Sequence, residues 1–247
     1  NIRAVFPGGD PGVSLADELC KRLGLRGNDP STTWLRTTKL GMATALERAG
    51  IRHMRTKVVK TEEDVKEFWK TCDNGKCAVK YTSSSASMGF KVCESLEECI
   101  EHVRVLSEST NNVGEKCEIL MQEFVIGDEY SVNTASFDGK HVITDLWSYR
   151  LKIVDGNVLY DMELLPNESS VPKELLDYAF AVLDATGFRN GICHSEYFCD
   201  PKGPVLIETN PRMMGLSLTE EFQRTAMGRT YADYAFATLD EKSFSEI

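Results

Sequence analysis

The stretch GPVLIETNPRMMG, residues 203–215, places a glutamate inside an apolar run and an asparagine two positions later. An apolar run of this length is typical of a buried strand. An ionised carboxylate inside such a strand costs several kcal/mol unless a partner compensates its charge. The sequence therefore predicts that Glu208 has a specific partner, and the identity of that partner bears on what the protein does.

The run GICHSEYFCD, residues 191–200, comes just before this stretch, and the turn residues between the two runs predict a hairpin. Because strand residues alternate between faces, Glu208 shares a face with Asn210, and Glu196 shares a face with His194. If the turn pairs residues whose numbers sum to 404, Glu196 lies directly opposite Glu208, with β-carbons about 5 Å apart.

Two facing carboxylates repel each other, so this arrangement calls for a cation. Mg²⁺ prefers oxygen ligands and is commonly held by one or two carboxylates, and Asn210 would add a neutral oxygen. The alternative is a structural ion pair between Glu196 and Arg212 or Arg150. The residues alone leave both interpretations open.

The composition indicates a folded globular protein. The 247 residues are 42% hydrophobic and 27% charged, which fits one large domain or two small ones. The 28 Lys and Arg residues against 38 Asp and Glu give a net charge of -10, which argues against a nucleic-acid partner, because that binding needs clustered cations. No signal peptide or apolar stretch of about 18 residues predicts secretion or a membrane span.

The cysteines form no C-x-x-C pair. We therefore expect reduced thiols in a cytoplasmic protein, each packed as a small buried hydrophobe. The eight positions are Cys20, Cys72, Cys77, Cys93, Cys99, Cys117, Cys193 and Cys199.

The first segment of the chain, residues 1–30, predicts a strand, a Gly/Pro turn and a helix. Ser14 is the predicted N-cap, and Leu15, Leu19 and Leu23 form the apolar face. A single β-α unit cannot bury its own faces. We therefore expect this segment to be the C-terminal remnant of an α/β domain.

The other three segments predict an α+β arrangement. Residues 31–56 contain a linker helix from Trp34 to Ala49. Residues 57–125 predict a small subdomain in the order strand, helix, strand, loop, strand, helix, strand. Residues 126–247 predict a larger subdomain, in which an antiparallel meander precedes a helix from Pro172 to about Thr186 and the hairpin with the two glutamates.

Four separate blocks, in their order and spacing, resemble the ATP-grasp superfamily and specifically its amino-acid (dipeptide) ligases. The blocks are Lys39 in the linker helix, CAVKYTSSSASMG (77–89), LMQEFVIGDEYSV (120–132) and HSEYFCDPKGPVLIETNPRMMG (194–215). The resemblance extends from residue 1 to about residue 230. It implies an α+β ATP-grasp fold, in which two α+β subdomains enclose ATP after the tail of an α/β N-terminal domain.

The resemblance implies a nucleotide site made from both subdomains. Lys39 and Lys80 would hold the ATP phosphates, and Glu129 would accept the ribose hydroxyls. The backbone of the hinge would meet adenine, and a loop over residues 82–89 would cover the triphosphate. The hinge residues are Gln122, Glu123, Phe124 and Val125, and the loop residues are Ser84, Ser85, Ser87 and Gly89. On the residues alone, Lys39 and Glu129 could equally be solvated surface charges.

The resemblance also implies a metal and catalytic site. Glu196, Glu208 and Asn210 match the ligands of Mg²⁺, for which Mn²⁺ could substitute. Arg212 matches an arginine beside the transferred phosphoryl group, where its cation would stabilise developing charge. Three further residues are expected near the phosphate or the substrate carboxylate: Arg150, Lys152 and His194. A histidine packed in a strand could instead be structural.

Two features depart from the family pattern. Tyr81 stands where the family usually has proline, and the loop SSSASMG has fewer glycines than such loops use to bring backbone close to phosphate. These departures bear on the loop geometry more than on nucleotide binding.

The resemblance implies an ATP-dependent carboxylate-amine ligase that forms an amide through an acyl phosphate, with small-molecule carboxylate and amine substrates, most simply amino acids. Positioning and electrostatics would supply most of the catalysis. The alternatives are an ATP-grasp carboxylase, a carboxylate-thiol ligase, a nucleotide-binding regulatory module, or a structural scaffold without nucleotide. The sequence leaves the identity of both substrates and the oligomeric state open, a homodimer included.

Overall fold

The computed structural model describes residues 2–82, 89–110, 118–154 and 157–247, and between residues 151 and 160 it describes no side chains. Within these ranges the strands form two antiparallel sheets, one of four strands and one of five. No helix in the same ranges combines the length and the apolar character needed to cross a membrane.

The N-terminal segment differs from its prediction. No strand is present in residues 2–12, and helix α1 (Val13–Leu23) begins after Gly12, so Ser14 is not the N-cap. The predicted leucine face is wrong as well, because Leu15 is 63% exposed and Leu23 is 49% exposed. The buried residues of this helix are Val13, Ala16, Asp17 and Cys20.

A buried ion pair explains which face of α1 turns inward. Arg36 is fully buried, and its Nη2 donates to Asp17 Oδ2 at 2.6 Å. The hydroxyl of Thr33 donates to the same carboxylate oxygen at 2.6 Å. Removing one partner of such a buried pair costs roughly 3 to 5 kcal/mol. The Asp17 face therefore packs against the linker, and the leucines face outward.

The predicted linker helix is broken into two. Helix α2 (Trp34–Thr37) ends at Thr38, whose backbone is extended, and helix α3 (Lys39–Arg48) begins there. The Thr38 hydroxyl accepts a hydrogen bond from the Gly41 amide at 3.0 Å and so caps α3. The break makes Lys39 the first residue of the new helix.

The smaller sheet has the strand order β1-β4-β2-β3, and two helices cover one of its faces. Its elements are β1 (Thr56–Val59), α4 (Glu62–Trp69), β2 (Cys77–Tyr81), β3 (Lys91–Cys93), α5 (Leu96–Glu108) and β4 (Ile119–Glu123). The odd-numbered residues of β2 are buried against the helices. By the alternation of strand side chains, Lys80 therefore points to the uncovered face.

The larger sheet has the order β7-β6-β5-β8-β9. Its elements are β5 (Asp128–Phe137), β6 (Lys140–Val154), β7 (Asn157–Leu164), α6 (Lys173–Ala185), β8 (Gly191–Asp200) and β9 (Gly203–Asn210). One face packs against α3 and α6. The other face packs in part against the C-terminal helices α7 (Glu220–Phe222), α8 (Tyr231–Ala237) and α9 (Glu241–Phe244). The predicted meander, the α6 helix and the final hairpin are confirmed.

The α2–α3 break yields a test at Gly41. A β-carbon at this position would lie 2.0 Å from the Trp34 carbonyl oxygen. In an ordinary helix interior, Gly→Ala stabilises by about 1 kcal/mol. We expect Gly41→Ala to have the opposite sign and to lower the free energy of unfolding by roughly 2 kcal/mol, because the two helix ends must separate.

Denaturant unfolding measures this change. Gly8→Ala is the control, because nothing lies within 4 Å of a β-carbon there, and its stability should stay within about 0.5 kcal/mol of the parent. A Gly41→Ala protein as stable as the parent would contradict the importance of the break.

Candidate active site

The two glutamates singled out by the sequence face each other across β8 and β9, as predicted, because Glu196 pairs with Glu208. The route to this register differs from the prediction. The turn pairs Asp200 with Gly203, one residue away from the expected register, and a shift between Glu196 and Tyr197 corrects it. The extra residue of the shift is Ile207.

This one-residue shift decides the chemistry of the site. Without it, Glu208 would pair with Ser195 and point to the face that packs against α6. With it, Glu208 and Asn210 lie on the opposite face, beside Glu196 and His194.

The partner of Glu208 is Lys39. Lys39 Nζ lies 2.5 Å from Glu208 Oε2, and Asn210 Nδ2 donates to Glu208 Oε1 at 3.2 Å. Burial opposes ionisation of Glu208, but the Lys39 ammonium and the Asn210 amide outweigh it and hold the pKa of this carboxyl below its usual value. The charge that the sequence left unexplained is thus compensated by a residue 169 positions away.

The predicted alternative ion pairs are wrong. Arg212 binds Asp10, with Nε and Nη2 at 2.8 and 3.0 Å from the two carboxylate oxygens. Arg150 lies 3.7 Å from Glu163, and its side chain is 72% exposed. Neither guanidinium pairs with Glu196.

The structure also does not bring Arg150 into the site. Its neighbour Tyr149 pairs with Glu129, which lies on the same face as Glu196, so Arg150 points to the opposite face of the sheet. The prediction that Arg150 lies near a phosphate or the substrate carboxylate is therefore wrong. The Lys152 backbone pairs with Leu159 in β6 and β7, and its side chain lies outside the described residues.

Lys80 reaches the same region from the smaller sheet. Its Nζ donates to Gln122 Oε1 at 2.6 Å, and Gln122 Nε2 donates to Thr56 Oγ1 at 3.0 Å. Burial, and then the Lys39 ammonium, lowers the pKa of Lys80 to about 7, against the attraction of Glu208. Lys39 from the linker and Lys80 from the smaller subdomain thus interact electrostatically with each other and with the Glu208 carboxylate.

Glu129 lies on β5, on the same face as Glu196. Burial raises the pKa of Glu129 to about 7, and the negative charge of Glu196 adds to this effect. An acid with a raised pKa and a base with a lowered pKa within one region are typical of a functional site.

The hinge predicted at residues 122–125 connects β4 of the smaller sheet to β5 of the larger one. The Glu123 carboxylate pairs with Arg55 at 3.3 Å. The Phe124 carbonyl accepts a hydrogen bond from Asn74 Nδ2 at 2.6 Å. Val125 is buried and packs in one cluster with Val205. The segment therefore runs between the two sheets, where a nucleotide hinge is expected.

The covering loop can be placed only at its ends. Ser84, Ser85 and Ser87 lie outside the described residues. Gly89 has a φ of +72°, and a β-carbon there would lie 2.9 Å from the Tyr81 ring. Tyr81 itself is buried against the helices of the smaller sheet. The departure from the family pattern at Tyr81 thus lies on the face away from Lys80.

A buried chain of hydrogen bonds holds His194. Asp145 Oδ1 accepts from Asn133 Nδ2 at 2.5 Å and from the Tyr231 hydroxyl at 3.1 Å. Asn133 Oδ1 lies 2.8 Å from His194 Nδ1, and His194 Nε2 lies 3.1 Å from Glu196 Oε1. Sequence reasoning missed Asp145 and Asn133. A charge within the apolar strand around Asp145 is the same signal that identified Glu208.

This chain of hydrogen bonds places a hydrogen on Nδ1 of the His194 imidazole. The Asp145 carboxylate requires the amide nitrogen of Asn133, so the Asn133 oxygen faces His194 and Nδ1 must carry a hydrogen. Nε2 then faces a carboxylate oxygen of Glu196.

The donor set fits a hard divalent cation. Glu196, Glu208 and Asn210 present two facing carboxylates and an amide on one face, and oxygen ligands of this kind suit Mg²⁺ or Mn²⁺. Within the described ranges, no group of three or more His, Cys, Asp or Glu side chains could hold a metal ion. The cation would therefore need further ligands, such as phosphate oxygens.

Similarities to known proteins bear on the family of this chain. A family model described as the ATP-grasp domain matches residues 74–220. Dapdiamide A synthase from Enterobacter agglomerans is 25% identical over 217 residues, which cover 87% of this chain and 51% of that enzyme. The chain thus spans about half the length of this curated relative.

Solved structures share the fold. An L-amino acid ligase from Bacillus licheniformis has a TM-score of 0.71 at 16% identity. This match covers 96% of the present chain and 56% of that ligase. A D-alanine–D-alanine ligase from Bacillus anthracis complexed with ATP has a TM-score of 0.67 at 19% identity. This match covers 97% of the present chain and 79% of that ligase. These similarities confirm the predicted α+β ATP-grasp fold. Since the family model also matches more than half of its residues, the chain belongs to the ATP-grasp family.

Proposed function

We propose that this chain carries the ATP-binding and catalytic residues of a ligase that joins a carboxylate to an amine, with amino acids as substrates. One observation carries the proposal. Lys39, Lys80 and the facing pair of Glu196 and Glu208 come from separate elements of both subdomains and interact at one place between the sheets. A structural scaffold has no need for this arrangement of costly, mutually repelling charges.

The proposed reaction transfers the γ-phosphoryl group of Mg²⁺-ATP to a substrate carboxylate, and the amine of a second substrate then displaces phosphate. Glu196, Glu208 and Asn210 would hold the cation. Glu129 would accept the ribose hydroxyls, and the hinge at residues 122–125 would contact adenine.

The two lysines have separate tasks in this proposal. Lys39 and Glu208 form an ion pair without net charge. When a cation and a phosphate bind, this pair would separate: the Glu208 carboxylate would bind the cation and the Lys39 ammonium would bind the phosphate. Lys80 would approach the phosphates from the smaller sheet. Because Lys39 and Lys80 repel each other, a phosphate group between them would relieve the repulsion.

The substrates would lie beside Arg212. An open cleft of about 780 Å³ is lined by Asp10, Arg212, Gly215, Ser217 and their neighbours. Asp10 and Arg212 place opposite charges side by side on its wall. An α-amino acid carries the complementary pair, since its ammonium suits Asp10 and its carboxylate suits the planar guanidinium of Arg212. The L-amino acid ligase, by its name, also suggests amino acids as the substrate class.

An ADP-release assay of the full-length protein tests the proposal. Amino acids are supplied singly and in pairs with ATP and Mg²⁺, and we expect release to depend on pairs. Release that responds to bicarbonate or to a thiol, and not to an amine, would support a carboxylase or a thiol ligase instead. Nucleotide binding without release under any of these conditions would support a regulatory module.

Lys80→Ala tests the phosphate contact. We expect the affinity for ATP to fall by about tenfold or more, which corresponds to ~1.4 kcal/mol, because a buried ammonium is removed from the phosphate site. Titration calorimetry measures the change. Lys76→Ala is the control, since Lys76 is on the same subdomain and pairs with Glu94 at the surface. Equal affinities of the two variants would refute the assignment.

Glu208→Gln separates the catalytic role from the structural one. The Lys39–Glu208 pair is 26% and 33% exposed, so the loss of stability should stay near ~1 kcal/mol. Mg²⁺-dependent ATP turnover should fall by orders of magnitude, because a charged metal ligand is lost. Glu163→Gln, on the opposite face, should change neither quantity. A variant that loses roughly 3 to 5 kcal/mol of stability and still turns over ATP would reject the metal site.

ATP affinity should depend on pH through Lys80. The pKa of Lys80 is about 7 in the free protein against an ordinary value of 10.5. Between these two pH values the unfolded chain binds more protons than the folded protein, so the free protein gains stability as pH rises. Phosphate favours the ammonium, so ATP binding should take up a proton and should weaken as pH rises above about 7.

Calorimetry in buffers of different ionisation enthalpy measures this proton uptake. The pKa of Glu129 is also raised to about 7, so Lys80→Ala is the necessary control, and it should remove the uptake that Lys80 contributes. Uptake that is unchanged in Lys80→Ala would assign the effect to another group.

A further inference from the structure

Four cysteines lie together in the smaller subdomain, away from the candidate active site. Cys77 on β2 pairs with Cys93 on β3, and both are buried with Cys99 of α5 in one core. Cys72 packs against this core. The Cys77 thiol interacts electrostatically with the thiols of Cys72 and Cys99, and Cys99 interacts in the same way with Cys93. Their spacing in the sequence gave no indication of this cysteine cluster (Cys72, Cys77, Cys93, Cys99).

A metal does not explain the cysteine cluster. All four thiols are free, yet nowhere in the described part of the chain could three or more His, Cys, Asp or Glu side chains hold a metal ion. The interactions join the thiols in pairs: Cys72 with Cys77, Cys77 with Cys99, and Cys99 with Cys93. Interactions between single pairs of thiols favour disulfide formation between two neighbours over metal binding.

Cys72 is the entry point to the cysteine cluster, because it is half-buried while the other three are fully buried. The neighbouring Cys77 thiol, and then the guanidinium of Arg55, lowers the pKa of the Cys72 thiol against the effect of burial. The neighbouring thiols and burial raise the pKa of Cys77. Cys72 is therefore the thiol that reacts first with a molecule from solvent.

The pair of Cys72 and Cys77 is joined to the hinge. Cys77 Sγ donates to the Gln122 carbonyl oxygen at 3.5 Å. Asn74, in the turn between the two cysteines, donates to the Phe124 carbonyl oxygen at 2.6 Å. Two hydrogen bonds thus connect this short turn to the segment expected to contact adenine.

We propose that Cys72 and Cys77 form a reversible disulfide by exchange with a small-molecule disulfide, and that this bond weakens nucleotide binding through the hinge. The second half of the proposal rests on the proposed function. The first half concerns the thiols alone.

The exchange has two steps. The Cys72 thiolate attacks one sulfur of the small disulfide, which forms a mixed disulfide and releases one small thiolate. The Cys77 thiolate then attacks the Cys72 sulfur and releases the second small thiolate. The two protons lost by the cysteines protonate the two leaving thiolates. Two protein thiols are oxidised, and one small disulfide is reduced to two thiols.

The bond would act on the hinge in two ways. Cys77 loses its S–H hydrogen, so its hydrogen bond to the Gln122 carbonyl is lost. The turn that carries Asn74 is closed into a ring, which moves the donor to the Phe124 carbonyl. We expect ATP affinity to fall by about fivefold, the size of effect that the loss of one hydrogen bond produces.

The test uses oxidised glutathione as the small disulfide. Peptide mapping without reductant should show a Cys72–Cys77 link and a mass lower by two hydrogens, both reversed by dithiothreitol. Cys72→Ser should abolish the link, whereas Cys199→Ser, which changes a half-buried cysteine of the larger sheet, should leave it intact. Free thiols at both positions, a lasting glutathione adduct on Cys72, or a link from Cys72 to Cys99 would overturn the proposal.

ATP affinity is then measured on reduced and oxidised protein. Reduced protein that does not bind ATP would refute the proposed function and leave the disulfide to be judged by the mapping alone. Reduced protein that binds ATP, together with linked protein of equal affinity, would overturn the coupling to the hinge. The affinity of Cys72→Ser should be the same before and after treatment.

Discussion

The register of β8 against β9 is the constraint on which the site depends. Side chains alternate along a strand, so a slip of one residue moves every side chain of β9 to the other face. The shift at Ile207 sets Glu208 against Glu196, although two like charges in directly opposite positions destabilise a sheet. The Lys39 ammonium offsets this repulsion by contact with Glu208, and His194 Nε2 lies against the Glu196 carboxylate. The arrangement is explicable by the chemistry it allows and not by stability.

Several elements serve to keep these two contacts in place. The Asp17–Arg36 ion pair fixes the linker, and the break at Thr38 starts α3 at Lys39. On the other side, Asp145 and Asn133, on the neighbouring strands and the same face of the sheet, orient the imidazole of His194. Buried polar groups of this kind are costly when unpaired and specific when paired. They account for side-chain positions that apolar packing would leave undefined.

The space between the sheets changes the ionisation of the groups that line it. Burial raises the pKa of Glu129 and lowers that of Lys80, and both come to about 7. Both groups would regain their charge when an oppositely charged or hydrogen-bonding ligand compensates for lost water. Groups with such pKa values can take up or release protons when a charged ligand binds.

The sequence by itself determined the features that depend on local periodicity. It predicted the strands and most helices, and the common face of Glu208 and Asn210. Tertiary structure alone decided the shift at Ile207 and the partner of Glu208. Both depend on contacts between distant segments, such as the 169 residues from Lys39 to Glu208.

The same distinction explains the failures. The leucine stripe of α1 was regular, but a buried ion pair outweighed it, and Arg150 had the right charge on the wrong face of its strand. The cysteine cluster and the hydrogen-bond chain to His194 bring together residues whose spacing carries no signal. Periodicity fixes which way a side chain points within its own element, whereas only packing fixes what it meets there.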